Sequence, residues 1–170
     1  LDEDQNKAIE IGEEIIESFN EKYEKKFHEM MKKKLGLITD EPEDAVLIKE
    51  LLDVMEKNKL DYTNTFRDLM NENITNENLK DFHSKWKIRV DKQNRDKQEV
   101  LKLMRKNNPV VIPRNHKVEE SLKEAHKGNL LSLNNLLNAL KDPYTERGDL
   151  MLYQQPAPDN EKKYKTFCGT

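Results

Sequence analysis

Asn107-Asn108-Pro109-Val110-Val111-Ile112-Pro113-Arg114-Asn115 separates two differently patterned parts of this chain. Pro109 and Pro113 forbid a helix between them, because each lacks an amide donor and restrains the residue before it. Beyond Pro113 the apolar spacing is helical. Val118, Leu122 and Ala125 form one stripe, stopped by Gly128, and Leu130, Leu133, Leu136, Leu137 and Leu140 form a second, stopped by Asp142-Pro143. The stretch therefore reads as a short helical hairpin turning at Lys127-Gly128-Asn129, with a structureless tail after it. Pro156-Ala157-Pro158-Asp159 bars regular structure in that tail, and Cys168, the only cysteine, stands third from its end.

Upstream, every long apolar pattern also has a period near 3.6. Ala8, Ile11/Gly12, Ile15, Phe19, Tyr23, Phe27 and Met30 mark a helix over residues 2–35, acidic at its start and closed by Lys32-Lys33-Lys34 and Gly36. Thr39-Asp40-Glu41-Pro42 reads as a start signal for a helix running to Lys57, with Val46/Leu47, Ile48, Leu51, Leu52 and Met55 inward. Asp61 caps a shorter helix, Tyr62 to Met70, and Asn71 to Asn76 form a polar linker. Leu79, Phe82, Trp86 and Val90 belong to the next helix, which Arg95-Asp96 separates from Val100, Leu101 and Met104. The expected fold is all-α: about seven helices in an irregular bundle, ending in the hairpin and an extended tail. Residues 1–152 are expected as the helical domain and 153–170 as the tail.

Composition narrows the function classes. With 170 residues, 37% charged, and a mean hydropathy of -1.00, the chain has room for one domain and a real core. It has no apolar run of about 18 residues, the length a membrane helix needs. One cysteine rules out an internal disulfide framework and suits a reducing cytoplasm. The first residue is Leu1 rather than Met, so the chain reads as a piece of something longer. Residues 79–106 carry ten Lys/Arg against four Asp/Glu, a segregation that solvated helix faces also produce.

A nucleotide-using enzyme needs a phosphate cradle, a lysine and metal-binding carboxylates at defined places. The five glycines stand at 12, 36, 128, 148 and 169, which fits neither a kinase glycine loop nor a Walker loop. Asp81-Phe82-His83 superficially matches a kinase metal motif but falls inside an amphipathic helix with Phe82 inward. His28, His83, His116 and His126 lack zinc-ligand spacing. Glu13-Glu14 and Glu119-Glu120 are adjacent on helices and point different ways, so neither is an acid–base pair. Trp86 between Lys85 and Lys87 would suit base stacking, but Phe82 and Val90 four residues away make it a core residue. For Arg114-Asn115 the reading is a helix start at Pro113, with Asn115 bonding first-turn amides and Arg114 pairing with an acidic neighbour, or else contact with an absent domain.

The order of these features resembles the C-terminus of the selenoprotein O family, the protein adenylyltransferases. Asn108-Pro109, Arg114-Asn115, Gly128-Asn129, Pro143-Tyr144 and Cys168 occupy the places of that family's pattern. So do Lys34-Leu35-Gly36-Leu37 and Asp61-Tyr62-Thr63-Asn64-Thr65-Phe66-Arg67. Pro113 stands where the family usually has Leu, and Gly169-Thr170 replace two serines. The resemblance implies a parent enzyme of kinase-like fold that moves AMP from ATP to protein hydroxyls with magnesium. It also implies that the catalytic machinery lies before residue 1, that the N-terminal catalytic part of the same chain is the main partner, and that Cys168 is a redox thiol. No catalytic, cofactor-binding or metal residue is expected within these 170. Two rivals stand beside it: a free-standing helical module whose hairpin 114–141 docks a partner protein, and a nucleic-acid binder using the basic face of 79–106.

Overall fold

The structure, a computed structural model, describes residues 4–158. Those residues form eight α-helices and no strand: α1 (Gln5–Lys34), α2 (Asp44–Lys57), α3 (Tyr62–Met70), α4 (Lys80–Lys92), α5 (Lys97–Asn107), α6 (Asn115–His126), α7 (Leu131–Leu140) and α8 (Met151–Gln154). Single 3-10 turns at Glu77–Leu79 and Gly148–Leu150 lead into α4 and α8. The all-α expectation holds, and the added helix is α8, where the sequence reading placed structureless chain. Cys168 lies outside the described residues.

The main core is built where α2, α3, α4 and α5 meet the C-terminal end of α1. Phe66, Phe82, Met31, Leu35, Ile48, Leu51, Leu69 and Met104 are all fully buried there. The hinge of this packing is the end of α1. Leu37 N donates to Lys32 O and Gly36 N to Lys33 O, the double bond of a Schellman ending. Gly36 takes φ +71°, and a Cβ on it would lie 2.6 Å from Val100 Cγ1, so both the turn and the approach of α5 need glycine. α4 then lays three side chains one turn apart along the ensuing loop. Trp86 Nε1 donates to Leu35 O at 2.9 Å, Arg89 Nη2 to Thr39 O at 2.8 Å, and Gln93 Nε2 to Gly36 O at 3.1 Å. Gln93 Oε1 accepts from Ile38 N, so the loop's backbone groups are satisfied inside the core.

Several local expectations are corrected. α2 begins at Asp44, not near Asp40, and Asp44 is buried, accepts from Glu41 N, and forms a forked ion pair with Arg89 at 2.6 and 3.0 Å. Val46 points outward. α6 begins at Asn115 with Arg114 at its cap position, so Asn115 does not cap it. Its buried residue is Ser121, one position before Leu122, which is 42% exposed. The Ser121 hydroxyl bonds back to Lys117 O within α6. Val110 and Val111, the extended residues between the prolines, pack with Ala139 and Leu150 in a second, smaller cluster. The tail expected from 153 begins inside α8, with Tyr153 against that cluster and Gln154 buried.

The greatest departure is in α1. None of its residues before Phe27 is buried, and the apolar stripe read from the sequence is largely bare: Ile15, Phe19 and Tyr23 are each about 60% exposed. Helical period predicted the helix correctly, but the face has no cover within the described residues.

Candidate functional site

Four of the blocks that carry the family resemblance, those at Lys34, Asp61, Asn108 and Arg114, are far apart in sequence and meet around α3. Asp61 is the cap of that helix, accepting from Asn64 N at 2.8 Å. The same carboxylate takes a forked pair from Arg114, Nη1 at 2.6 Å and Nη2 at 3.0 Å. Arg114 Nη2 also donates to Gln154 O, as does Asn64 Nδ2 at 3.0 Å. Arg67, one turn further along α3, pairs with Glu146, and Gln154 Nε2 donates to that same Glu146 oxygen. One cap residue thereby joins α3, the start of α6 and the end of α8.

A second node lies on the other side of α3. Lys34 Nζ sits 4.8 Å from the centre of the Phe66 ring and 5.3 Å from that of Tyr62, and donates to Asn108 Oδ1. Asn108 is buried and returns its amide to Lys34 O and Met104 O. Tyr62 is half exposed, but its hydroxyl reaches Met31 Sδ. The sequence singled out Arg114 as a pairing residue; its acid, Asp61, is 53 positions away and was not legible. Lys34, Asn108, Asp44, Arg89 and Gln93 are ties that sequence reading missed, because polar residues on amphipathic helices look solvated until the partner helix is placed.

The electrostatics follow from burial. Asp61 is pushed up by burial, but the Arg114 guanidinium and the amide of Asn64 outweigh this and hold its carboxyl below the usual range. Burial raises Asp68, against the nearby Arg67 charge. Burial likewise lowers Lys34 and raises the Tyr62 hydroxyl. Asp61, Arg114, Arg67 and Lys34 each hold a partner from another part of the chain, so the two nodes tie helices together.

The remaining candidates resolve similarly. Among the described residues no group of three or more His, Cys, Asp or Glu is placed to hold a metal ion. Asp81-Phe82-His83 lies in α4 with Phe82 in the core, and Trp86 is a core residue. His126 bonds Leu122 O within its own helix. A hollow of about 220 Å³ between α4 and α5 has an apolar floor including Leu69, Val100 and Met104, and Glu72 bridges Lys87 and Lys97 at its rim. Six of the ten cations in 79–106 are ion-paired: Lys80, Lys85, Lys87, Arg89, Lys92 and Lys97.

The family model described as protein adenylyltransferase SelO matches residues 7–141. This chain belongs to that family. Over its whole length it is also 42% identical to the protein nucleotidyltransferase YdiU of Bacillus cereus (strain ATCC 14579) and to that of Anoxybacillus flavithermus (strain DSM 21510 / WK1), and 41% identical to that of Bacillus thuringiensis (strain Al Hakam). In each case it spans 36% of the relative's length. The SelO match covers both nodes apart from Glu146 and Gln154, which lie beyond residue 141. No helix among the described residues is long and apolar enough to cross a membrane.

Proposed function

We propose that this chain is the C-terminal helical part of a protein adenylyltransferase, and that it supports a kinase-like catalytic part carried elsewhere in the same protein. The full enzyme takes ATP with magnesium and transfers AMP to serine, threonine or tyrosine hydroxyls of proteins, in the cytoplasm. The observation that carries this reading is the SelO match over 7–141, with its diagnostic residues engaged as clamps between helices. A supporting region needs rigidity, and the forked Arg114–Asp61 pair and the Lys34–Asn108 tie supply it. Within 170 residues the sequence has no phosphate cradle, so ATP and magnesium belong to the rest of the protein.

Cys168 is the redox candidate of this reading. Gln154, whose carbonyl the clamp holds, is 14 residues before it, which gives a reach of up to about 45–50 Å from that anchor. Its thiol pairs with a second thiol in the catalytic part, the disulfide forming as an external oxidant takes two electrons and two protons are released. Radiolabelled AMP transfer from ATP tests the main reading: the full-length protein labels a protein substrate in a magnesium-dependent way, and the 170-residue chain does not. Micromolar, magnesium-dependent ATP binding by the short chain would overturn it. For the thiol, Cys168→Ser abolishes a disulfide seen under oxidising conditions, and a full-length protein that never forms one removes the redox role.

The second reading, a free-standing module docking a partner through the hairpin, draws on the exposure of Leu122, Leu130, Leu131 and Leu137. It requires that the short chain capture its partner without the catalytic part.

A further inference from the structure

The first six turns of α1 pose a physical problem that the rest of the chain does not answer. A helix that long is held by tertiary packing of its apolar face rather than by propensity. Yet Ile9, Ile15, Ile16, Phe19 and Tyr23, on one face, are 52–71% exposed. The face is also ordered. Phe19 stacks on Tyr23 with ring centres 6.1 Å apart, and Tyr23 on Phe27 at 6.2 Å. Phe27 in turn packs against the main core. The ridge is thus one continuous apolar ladder whose lower end is core and whose upper end is bare.

We infer that this ridge, Ile9 to Tyr23, is the docking surface for the part of the full-length protein outside the matched third, namely the catalytic part of the proposed adenylyltransferase, on which this inference rests. Nearly two thirds of each relative's length lies outside the match, so a body large enough to cover the ridge exists in the same polypeptide. A second copy of this chain fits less well. The five apolar side chains expose only about 100 Å² each, so a self-paired ridge must also bury the polar flanks of α1 to reach the 1,200–2,000 Å² of stable interfaces. A tethered partner needs no such area, because attachment in one chain removes most of the association cost. Continuity with the core argues the same way: docking extends an existing packed layer. Gly12 lies on the ridge between Ile9 and Ile16, with nothing within 4 Å of where its Cβ would stand, which leaves room for close approach.

The test uses the full-length protein. Phe19→Cys and, on the opposite side of the helix, Glu21→Cys are made in a Cys168→Ser background, and alkylation at each site is followed by mass spectrometry of the peptides. Docking makes Phe19→Cys react at least about 100-fold more slowly than Glu21→Cys in the folded protein. Hydrogen exchange on the unsubstituted protein reads the same thing without a mutation: amides of residues 9–23 exchange at least about 100-fold more slowly than expected for an unpacked helix. Equal labelling of both sites with fast exchange over 9–23 overturns the inference, and so does protection lost on dilution, which would identify a second copy as the cover. Protection in a protein that transfers no AMP supports the docking and overturns only the adenylyl-transfer reading.

Discussion

The two ends of α1 carry the same kind of sequence and meet opposite fates. From Ile9 to Tyr23 and from Phe27 to Leu35 the apolar residues recur at helical spacing between Glu and Lys. In the second stretch Met31 and Leu35 are fully buried, while in the first nothing is. The difference is not in the helix but in what faces it: α2 and α5 pack on the C-terminal end and no described element reaches the other. Amphipathic periodicity records that a partner exists; it does not record whether the partner lies within the same stretch of chain.

The largest test of that contrast is a pair of phenylalanine truncations in the 170-residue chain. Phe66 is 1% exposed, so Phe66→Ala loses about 3–5 kcal/mol of stability through lost transfer energy and the cavity left behind. Phe19, at 62% exposure, has little to lose, and Phe19→Ala stays within about 0.5 kcal/mol. Urea unfolding of both variants at unchanged slope measures the gap. A cost above about 1.5 kcal/mol for Phe19→Ala would mean that the ridge is covered within this chain.

Glycine gives a sharper version with a change of sign. Gly36→Ala puts a methyl group 2.6 Å from Val100 Cγ1 at a φ of +71°, and the left-handed strain and overpacking together cost about 2–4 kcal/mol. Gly12 is in mid-helix with open space around it, so Gly12→Ala stabilises the short chain by about 0.5–1 kcal/mol. In the full-length protein the Gly12→Ala gain disappears or reverses if another element packs there. Thermal melts of the two variants in both lengths decide it.

The same physics divides what the sequence disclosed from what it did not. Helix positions followed from apolar spacing, and the cap at Asp61 from local side-chain chemistry, because both act over a few residues. Trp86 and Phe82 fell into the core because their neighbours at helical spacing are apolar. The Asp44–Arg89, Asp61–Arg114 and Lys34–Asn108 ties were illegible for the opposite reason. Their partners are 45, 53 and 74 residues apart, and nothing in an isolated helix shows which of its charged faces will meet another. For the candidate site, Arg114 was recognised as a pairing residue and its partner was not.

The smallest effect concerns the clamp that lies between the buried core and the C-terminal segment. Asp61→Asn keeps an acceptor for the amide of Asn64 but gives Arg114 a neutral partner. Charge-assisted bonds are worth about 1.5–3 kcal/mol when buried, and the carboxylate is 22% exposed, so the expected loss at neutral pH is about 1–2 kcal/mol. This loss should depend on pH in one direction. Because the folded-state carboxyl titrates below its ordinary value near 3.8, the unfolded chain takes up the proton first as pH falls. The stabilisation by Asp61 is therefore fully present above that value and disappears as pH drops through the lower, folded one. Asp68, raised by burial, contributes in the opposite sense, but it is present in both proteins and largely cancels in their difference. The stability gap between the parent and Asp61→Asn should then be flat from about pH 7 to about 4.5 and close below about 4. Arg114→Lys, which keeps the charge but not the fork, should fall between the two at neutral pH. In both variants hydrogen exchange should quicken over residues 148–154 before it does in α3, because the clamp holds α8 through Gln154 O while α3 keeps Phe66 and Leu69 in the core. A gap that widens on acidification would mean that Asp61 is stabilised as the neutral acid, and Arg114 would then not be its controlling partner.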